Sequence, residues 1–153
     1  MPMLGAILTP HPPVLLSEVG RGKELEIEAT ARAMGAVAAE VARWDPDVLI
    51  VSSPHTILYG DYFHISPGSS GVGSMAAFGA PQVRIKAQYD AQLRDEIVRR
   101  AQAAGLEAGT LGERDPQLDH GVLIPLTFLR RAGVVCPIVR MGLSGFSALA
   151  HYR

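Results

Sequence analysis

Of the five histidines in the chain, two stand where loops leave apolar segments. His11 follows residues 3–9, an apolar run stopped by Pro10, Pro12 and Pro13, and is read as ending a first strand. His55 follows Val48-Leu49-Ile50-Val51 and Ser52-Ser53-Pro54, and ends a second. Proline fixes its own φ and restrains its neighbour, so it limits where each imidazole can point. If the two strands are neighbours, about 4.8 Å apart, both side chains reach one divalent ion at roughly 2.0–2.2 Å. Either histidine alone is more often a polar loop residue bonded to backbone. Two of them, in matching Pro–His contexts at strand ends, point to a metal site.

His120 stands in Leu118-Asp119-His120-Gly121-Val122-Leu123-Ile124-Pro125-Leu126, at the mouth of a helix. The helix dipole disfavours the positive imidazole there, which suits a group that exchanges a proton. A plain capping role for Asp119 and His120 fits the spacing equally well. His64, within Tyr62-Phe63-His64-Ile65, suits a structural place on a strand, and His151 lies in a short terminal helix begun by Ser147. Ser52 and Ser53 lack the Gly-x-Ser-x-Gly elbow of a serine hydrolase. Gly71-Val72-Gly73-Ser74 lacks the lysine of a phosphate-binding loop.

The elements that position these residues are legible from periodicity. Ile27, Ala31, Met34, Ala38 and Val41 recur at helical spacing, which predicts a helix over residues 23–44 with one buried stripe. Asp45-Pro46-Asp47 ends it, and the run of residues 48–51 reads as a parallel strand covered on both faces. Residues 61–66 offer a further strand, and residues 67–74 are so rich in Gly and Ser that they predict a mobile surface loop. Alternation over residues 83–87 predicts a half-exposed strand, and residues 90–104 a helix capped by Gly105. A weak strand at 106–110, a helix at 121–131 that tolerates Pro125 only in its first turn, and a strand at 134–139 follow. Cys136 falls inside that last strand and is expected in the core. Alternating strands and helices argue a single α/β domain over residues 1–153: a three-layer sandwich with a largely parallel or mixed central sheet and helices on both faces.

Composition narrows the function. With 153 residues, 48% apolar, and 14 Lys+Arg against 15 Asp+Glu, the chain suits one compact domain. A net charge of -1 gives no bulk attraction to nucleic acid. No apolar stretch reaches the roughly 18–20 residues of a membrane span, and no basic segment introduces a signal-like run, so a cytoplasmic address is expected.

Taken in order, Thr9-Pro10-His11-Pro12-Pro13, Ser53-Pro54-His55, Phe78-Gly79-Ala80-Pro81 and the segment from Leu118 to Leu126 form a series that resembles the class III extradiol ring-cleavage dioxygenases of the LigB type, a family that includes the Memo-like proteins. Met141-Gly142-Leu143-Ser144-Gly145 and His151-Tyr152-Arg153 look like the family's middle portion. The resemblance implies a non-haem Fe(II) site of two histidines and one carboxylate, with zinc as an alternative ion, that opens a catecholic ring with dioxygen beside its two hydroxyls. It matches His11 and His55 to the metal histidines, and His120 to a catalytic histidine beside the substrate, with Asp119 adjoining the same substrate position. The family's carboxylate ligand and a further catalytic histidine belong to a later segment, so the chain reads as the N-terminal portion of such a domain. Asp61, Glu113, Asp115 and Asp119 are the nearby acids. An uncovered sheet face, and with it a homo-oligomer or partner subunit, is the corresponding expectation. A Memo-like metal-binding or interaction scaffold is the alternative function, and a zinc hydrolase the third.

Overall fold

The computed structural model describes residues 2–146, so the expectations for Ser147 and His151 lie outside the described residues. In chain order the elements are α1 (Ser17–Gly20), α2 (Glu28–Trp44), β1 (Leu49–Ser53), β2 (Phe63–His64), β3 (Ser70–Met75), β4 (Ala80–Gln88), α3 (Ala91–Ala103), β5 (Ala108–Gly109), α4 (His120–Arg131) and β6 (Ile138–Gly142). Parallel pairs β1–β6 and β2–β5 and the antiparallel pair β3–β4 combine with the helices into a mixed α/β architecture of the three-layer sandwich kind. Strand β6 is the junction. It runs beside β1 in the register Leu49↔Ile138 to Ser53↔Gly142, while Ile65 bridges to Met141 and Tyr89 to Ile138.

Helix α4 is the hub of the core. Its Val122, Leu123, Ile124 and Leu126 are buried and cluster with Leu15, Leu16, Met34, Met75, Ile85 and Ile138 from five other parts of the chain. Burying such side chains supplies about 1.5–3 kcal/mol each relative to exposure, before ordering costs. From α2, the buried stripe is Met34, Ala38 and Val41, as the spacing predicts. The first turns of that predicted helix, Lys23–Ile27, are 3-10 instead, entered through left-handed Arg21 and Gly22. Asp45 ends α2 in the left-handed region, ahead of Pro46. Asp90 caps α3 by accepting from the Leu93 N–H at 2.8 Å, and Gly105 (φ 74°) follows its end.

Several expectations are corrected. Residues 3–9 form no strand: they have no regular structure, with Leu8 fully exposed and no ladder partner among the described residues. Proline at 10, 12 and 13 ends the segment, but an apolar run becomes a strand only if an edge is there to receive it. Only Phe63–His64 of residues 61–66 is strand, and only Ala108–Gly109 of residues 106–110. From Ser70 onward the Gly/Ser stretch is strand and not loop: Ser70–Met75 is β3, with Gly71, Gly73 and Met75 buried, and only residues 67–69 are irregular. At Gly73 an added Cβ would collide with the carbonyl of Leu118, so glycine is what lets the hairpin close onto the segment leading to His120.

Two proline positions and one strand face complete the corrections. Pro125 lies in the second turn of α4, beyond the first turn, and has no N–H to give the Gly121 carbonyl. Pro137 delays β6 to Ile138: its carbonyl accepts from the Leu49 N–H at 3.1 Å, but it has no N–H to return. Cys136 therefore sits outside the strand, half-buried, and burial pushes its thiol up. On β1 the expected cover is one-sided, since Ile50 is 56% exposed. No helix among the described residues is long and apolar enough to cross a membrane.

Candidate metal centre

Three histidines from three separate elements meet. His11 is set by the turn Pro10-His11-Pro12, which is anchored downstream where Leu15 N–H bonds Pro12 O at 3.1 Å and Leu15 and Leu16 enter the core. His55 lies in the turn after β1, and His120 is the first residue of α4. Their ring centroids are 5.0 Å apart for His11 and His55, 5.8 Å for His11 and His120, and 4.0 Å for His55 and His120. One nitrogen from each ring lies within 4.8 Å of the others, and among the described residues this is the group that could hold an ion.

The donor set fits a divalent first-row metal. Nε2 of His11 and Nε2 of His55 face each other at 3.0 Å. With bonds of roughly 2.1 Å from an ion to each nitrogen, that separation corresponds to an angle of about 90° at the ion. Imidazole is a ligand that such ions accept readily. His11 and His120 are half-buried and His55 is exposed, so the cluster keeps an open side.

Behind the imidazoles stands a carboxylate that touches no ring nitrogen in the cluster. Asp119 caps α4, its Oδ1 accepting from the Val122 N–H at 3.3 Å. The same oxygen accepts from Ser53 Oγ at 2.6 Å, and Oδ2 accepts from Thr56 Oγ1 at 2.9 Å and Arg140 Nη2 at 3.3 Å. Burial works to raise the Asp119 pKa, but the hydroxyl bonds from Ser53 and Thr56 and the Arg140 charge outweigh it, and the carboxyl is held below its ordinary range. For His120 the direction is also down: burial comes first, then the nearby His55 and His11, with Asp119 opposing. Gly121 completes the junction. A Cβ there would lie 3.0 Å from Asp119 Oδ1 and 3.2 Å from His55 Cδ2, so a side chain would wedge the β1 turn away from α4.

An open cleft of about 270 Å³ runs beside His55 and His120, walled by Ile57, Phe78, Asp115 and Asp119 among others. That lies just below the roughly 300–1,000 Å³ of typical small-molecule sites. Phe78 meets His120 edge-on at 5.2 Å. Of the other acids, Asp61 is exposed, Asp115 accepts from the Gln117 N–H at 2.9 Å, and Glu113 lies behind the cleft with Oε1 3.8 Å from His64 Nε2 and 3.9 Å from Arg140 Nη1. His64 is fully buried on β2, with Nδ1 3.1 Å from the Leu111 carbonyl, a structural place as its context suggests. Ser53 spends its hydroxyl on Asp119 and is no nucleophile poised on His55.

Sequence reasoning missed the supports: Ser53, Thr56 and Arg140. Arg140 carried a signal, a charge inside the apolar run Ile138-Val139-Arg140-Met141, and it is 3% exposed. Buried arginine is rare unless paired, so such a residue announces a carboxylate elsewhere in the chain.

Compared with known proteins, residues 5–153 match the family model described as the catalytic LigB subunit of aromatic ring-opening dioxygenase. A relative, Protein CA_C1420 of Clostridium acetobutylicum, is 30% identical over 169 residues, an alignment that covers 100% of this chain and 34% of that protein. The chain thus spans about a third of the length of this curated relative.

Proposed function

The chain belongs to the family of the catalytic LigB subunit of aromatic ring-opening dioxygenases, and from that premise we propose that it serves Fe(II)-dependent extradiol cleavage of a catecholic ring by dioxygen. In this reading His11 and His55 hold the metal and His120 works beside the substrate. The observation that carries it is the 3.0 Å approach of the two Nε2 atoms at the ends of separate segments. Bound there, the ion supplies a Lewis-acid and redox centre that brings catecholate and dioxygen together.

The chain's own residues do the rest. The cleft holds the ring against Phe78 and Ile57, with Asp119 forming the wall next to His120. His120 lies within 4.0 Å, centroid to centroid, of the His55 ring, and its lowered pKa favours the uncharged imidazole at neutral pH. An uncharged imidazole can take a proton from a catechol hydroxyl or return one to an oxygen that gains charge.

Anaerobic reconstitution with Fe(II), then a catechol and air, tests the reading. Development of the yellow ring-opened semialdehyde, lost together with iron uptake in His11→Ala and His55→Ala, supports it. Iron uptake that both substitutions leave unchanged contradicts it. A Memo-like metal-binding scaffold is the second reading, favoured by the three-imidazole make-up of the cluster among the described residues. Stoichiometric metal uptake at the same histidines without turnover of any catechol selects it.

A further inference from the structure

Asp119 has no acceptor capacity left for a ligand. An ionised carboxylate offers about four lone-pair sites, and here four donors fill them: Ser53 Oγ, Thr56 Oγ1, the Val122 N–H and Arg140 Nη2. The donors divide by origin in an informative way. Ser53, the last residue of β1, and Thr56 bracket His55, and Ser53 Oγ also accepts from the His55 N–H at 3.1 Å. Val122 lies in the first turn of α4, two residues past His120. Arg140 comes from β6, opposite Val51 of β1, and is buried. One carboxylate therefore ties together the turn that carries His55, the helix end that carries His120 and the strand that supports both.

We propose that Asp119 is a positioning residue: it pins the His55 turn to the start of α4, with Arg140 as its buried counter-charge, and so sets the spacing of the His55 and His120 rings. The inference rests on the reading that His11 and His55 hold a metal beside His120, and it goes beyond it by assigning the acid next to His120 to the scaffold of the site rather than to the metal or the substrate. Two hydroxyls and one guanidinium are its instruments. Gly121 is the matching cut-out, because any side chain there would enter the same junction.

The test weakens the pin without replacing the histidines, the α4 cap or Arg140, and because Ser53 Oγ also holds the His55 N–H, Thr56→Val is the change that removes a bond to Asp119 alone. The double variant Ser53→Ala/Thr56→Val removes two hydroxyls, with single Thr56→Val as the milder version should the double variant fold poorly. Two quantities are read: the proton–proton cross-relaxation between the His55 and His120 rings in the metal-free chain, and the affinity for Co(II) as a probe ion. The expected result is a folded protein with the ring-to-ring cross-peak lost and Co(II) binding weakened about tenfold or more, as for other supports behind metal ligands. Thr56→Ser, which keeps a hydroxyl, should retain both. An unchanged cross-peak and unchanged Co(II) affinity in a folded variant would overturn the proposal, as would a lowered melting temperature with the cross-peak intact. Should the unsubstituted chain take up no Co(II) while the cross-peak responds as expected, the pin is supported and the metal reading fails.

Discussion

Gly121 shows how much the site depends on single atoms. Replacing it with Ala puts a methyl against Ser53 Oγ, Asp119 Oδ1 and His55 Cδ2. Overpacking of this kind costs about 1–3 kcal/mol, so Gly121→Ala should melt several degrees lower and bind a probe metal more weakly than the parent. A melt together with a metal titration checks both. Asp119 supplies a pH signature. Its folded pKa is depressed, so its contribution is complete above the unfolded value of about 3.9 and is lost as pH falls through the native value. In the metal-free chain, the stability gap between the parent and Asp119→Asn should therefore narrow as the solution is acidified below pH 4. Urea midpoints at a series of pH values measure it, and a gap that widens in acid contradicts the assignment.

Elements differ in how plainly local pattern announces them. The stripe of Met34, Ala38 and Val41 and the helix that Gly105 follows need only their own neighbours and formed as read, while the Asp90 cap is what the structure adds. Asp90→Ala should cost about 1 kcal/mol by leaving the Leu93 N–H uncapped, visible as a lower urea midpoint. Strand β3 could not be read this way. Its glycines signal flexibility in isolation, and only contact with Tyr89 and Leu118 turns them into a requirement for close approach. The missing first strand is the reverse case, since residues 3–9 are apolar enough to pair yet find no edge among the described residues. Gly73→Ala is the sharpest check on β3: it should destabilise by about 1–3 kcal/mol, whereas an exposed loop would tolerate it within roughly 0.5 kcal/mol. At the site, Pro–His context singled out His11 and His55 and the helix mouth His120, three residues that the structure brings into one cluster. Arg140, Ser53 and Thr56 were not found, because a hydrogen-bond support is defined by what lies across the fold.

For the molecule as a whole, the open side is informative. Met3, Leu4, Ile7 and Leu8 in the N-terminal segment are exposed, as is Ile50 on β1. An apolar segment of this exposure is of the kind that monomeric proteins rarely leave uncovered. We expect a second copy of the chain to cover it. Sedimentation equilibrium should then report a dimer, weakened in an Ile50→Asp variant, and a monodisperse monomer at high concentration would refute the expectation.

The account stands most directly on an ion shared by His11 and His55. Diffraction from crystals grown anaerobically with Fe(II), recorded on both sides of the iron absorption edge, would locate it. The predicted result is an anomalous peak roughly 2.1 Å from Nε2 of both residues, with the His120 ring alongside. Iron bound elsewhere on the chain, with these two nitrogens still facing each other and no peak between them, would contradict the account.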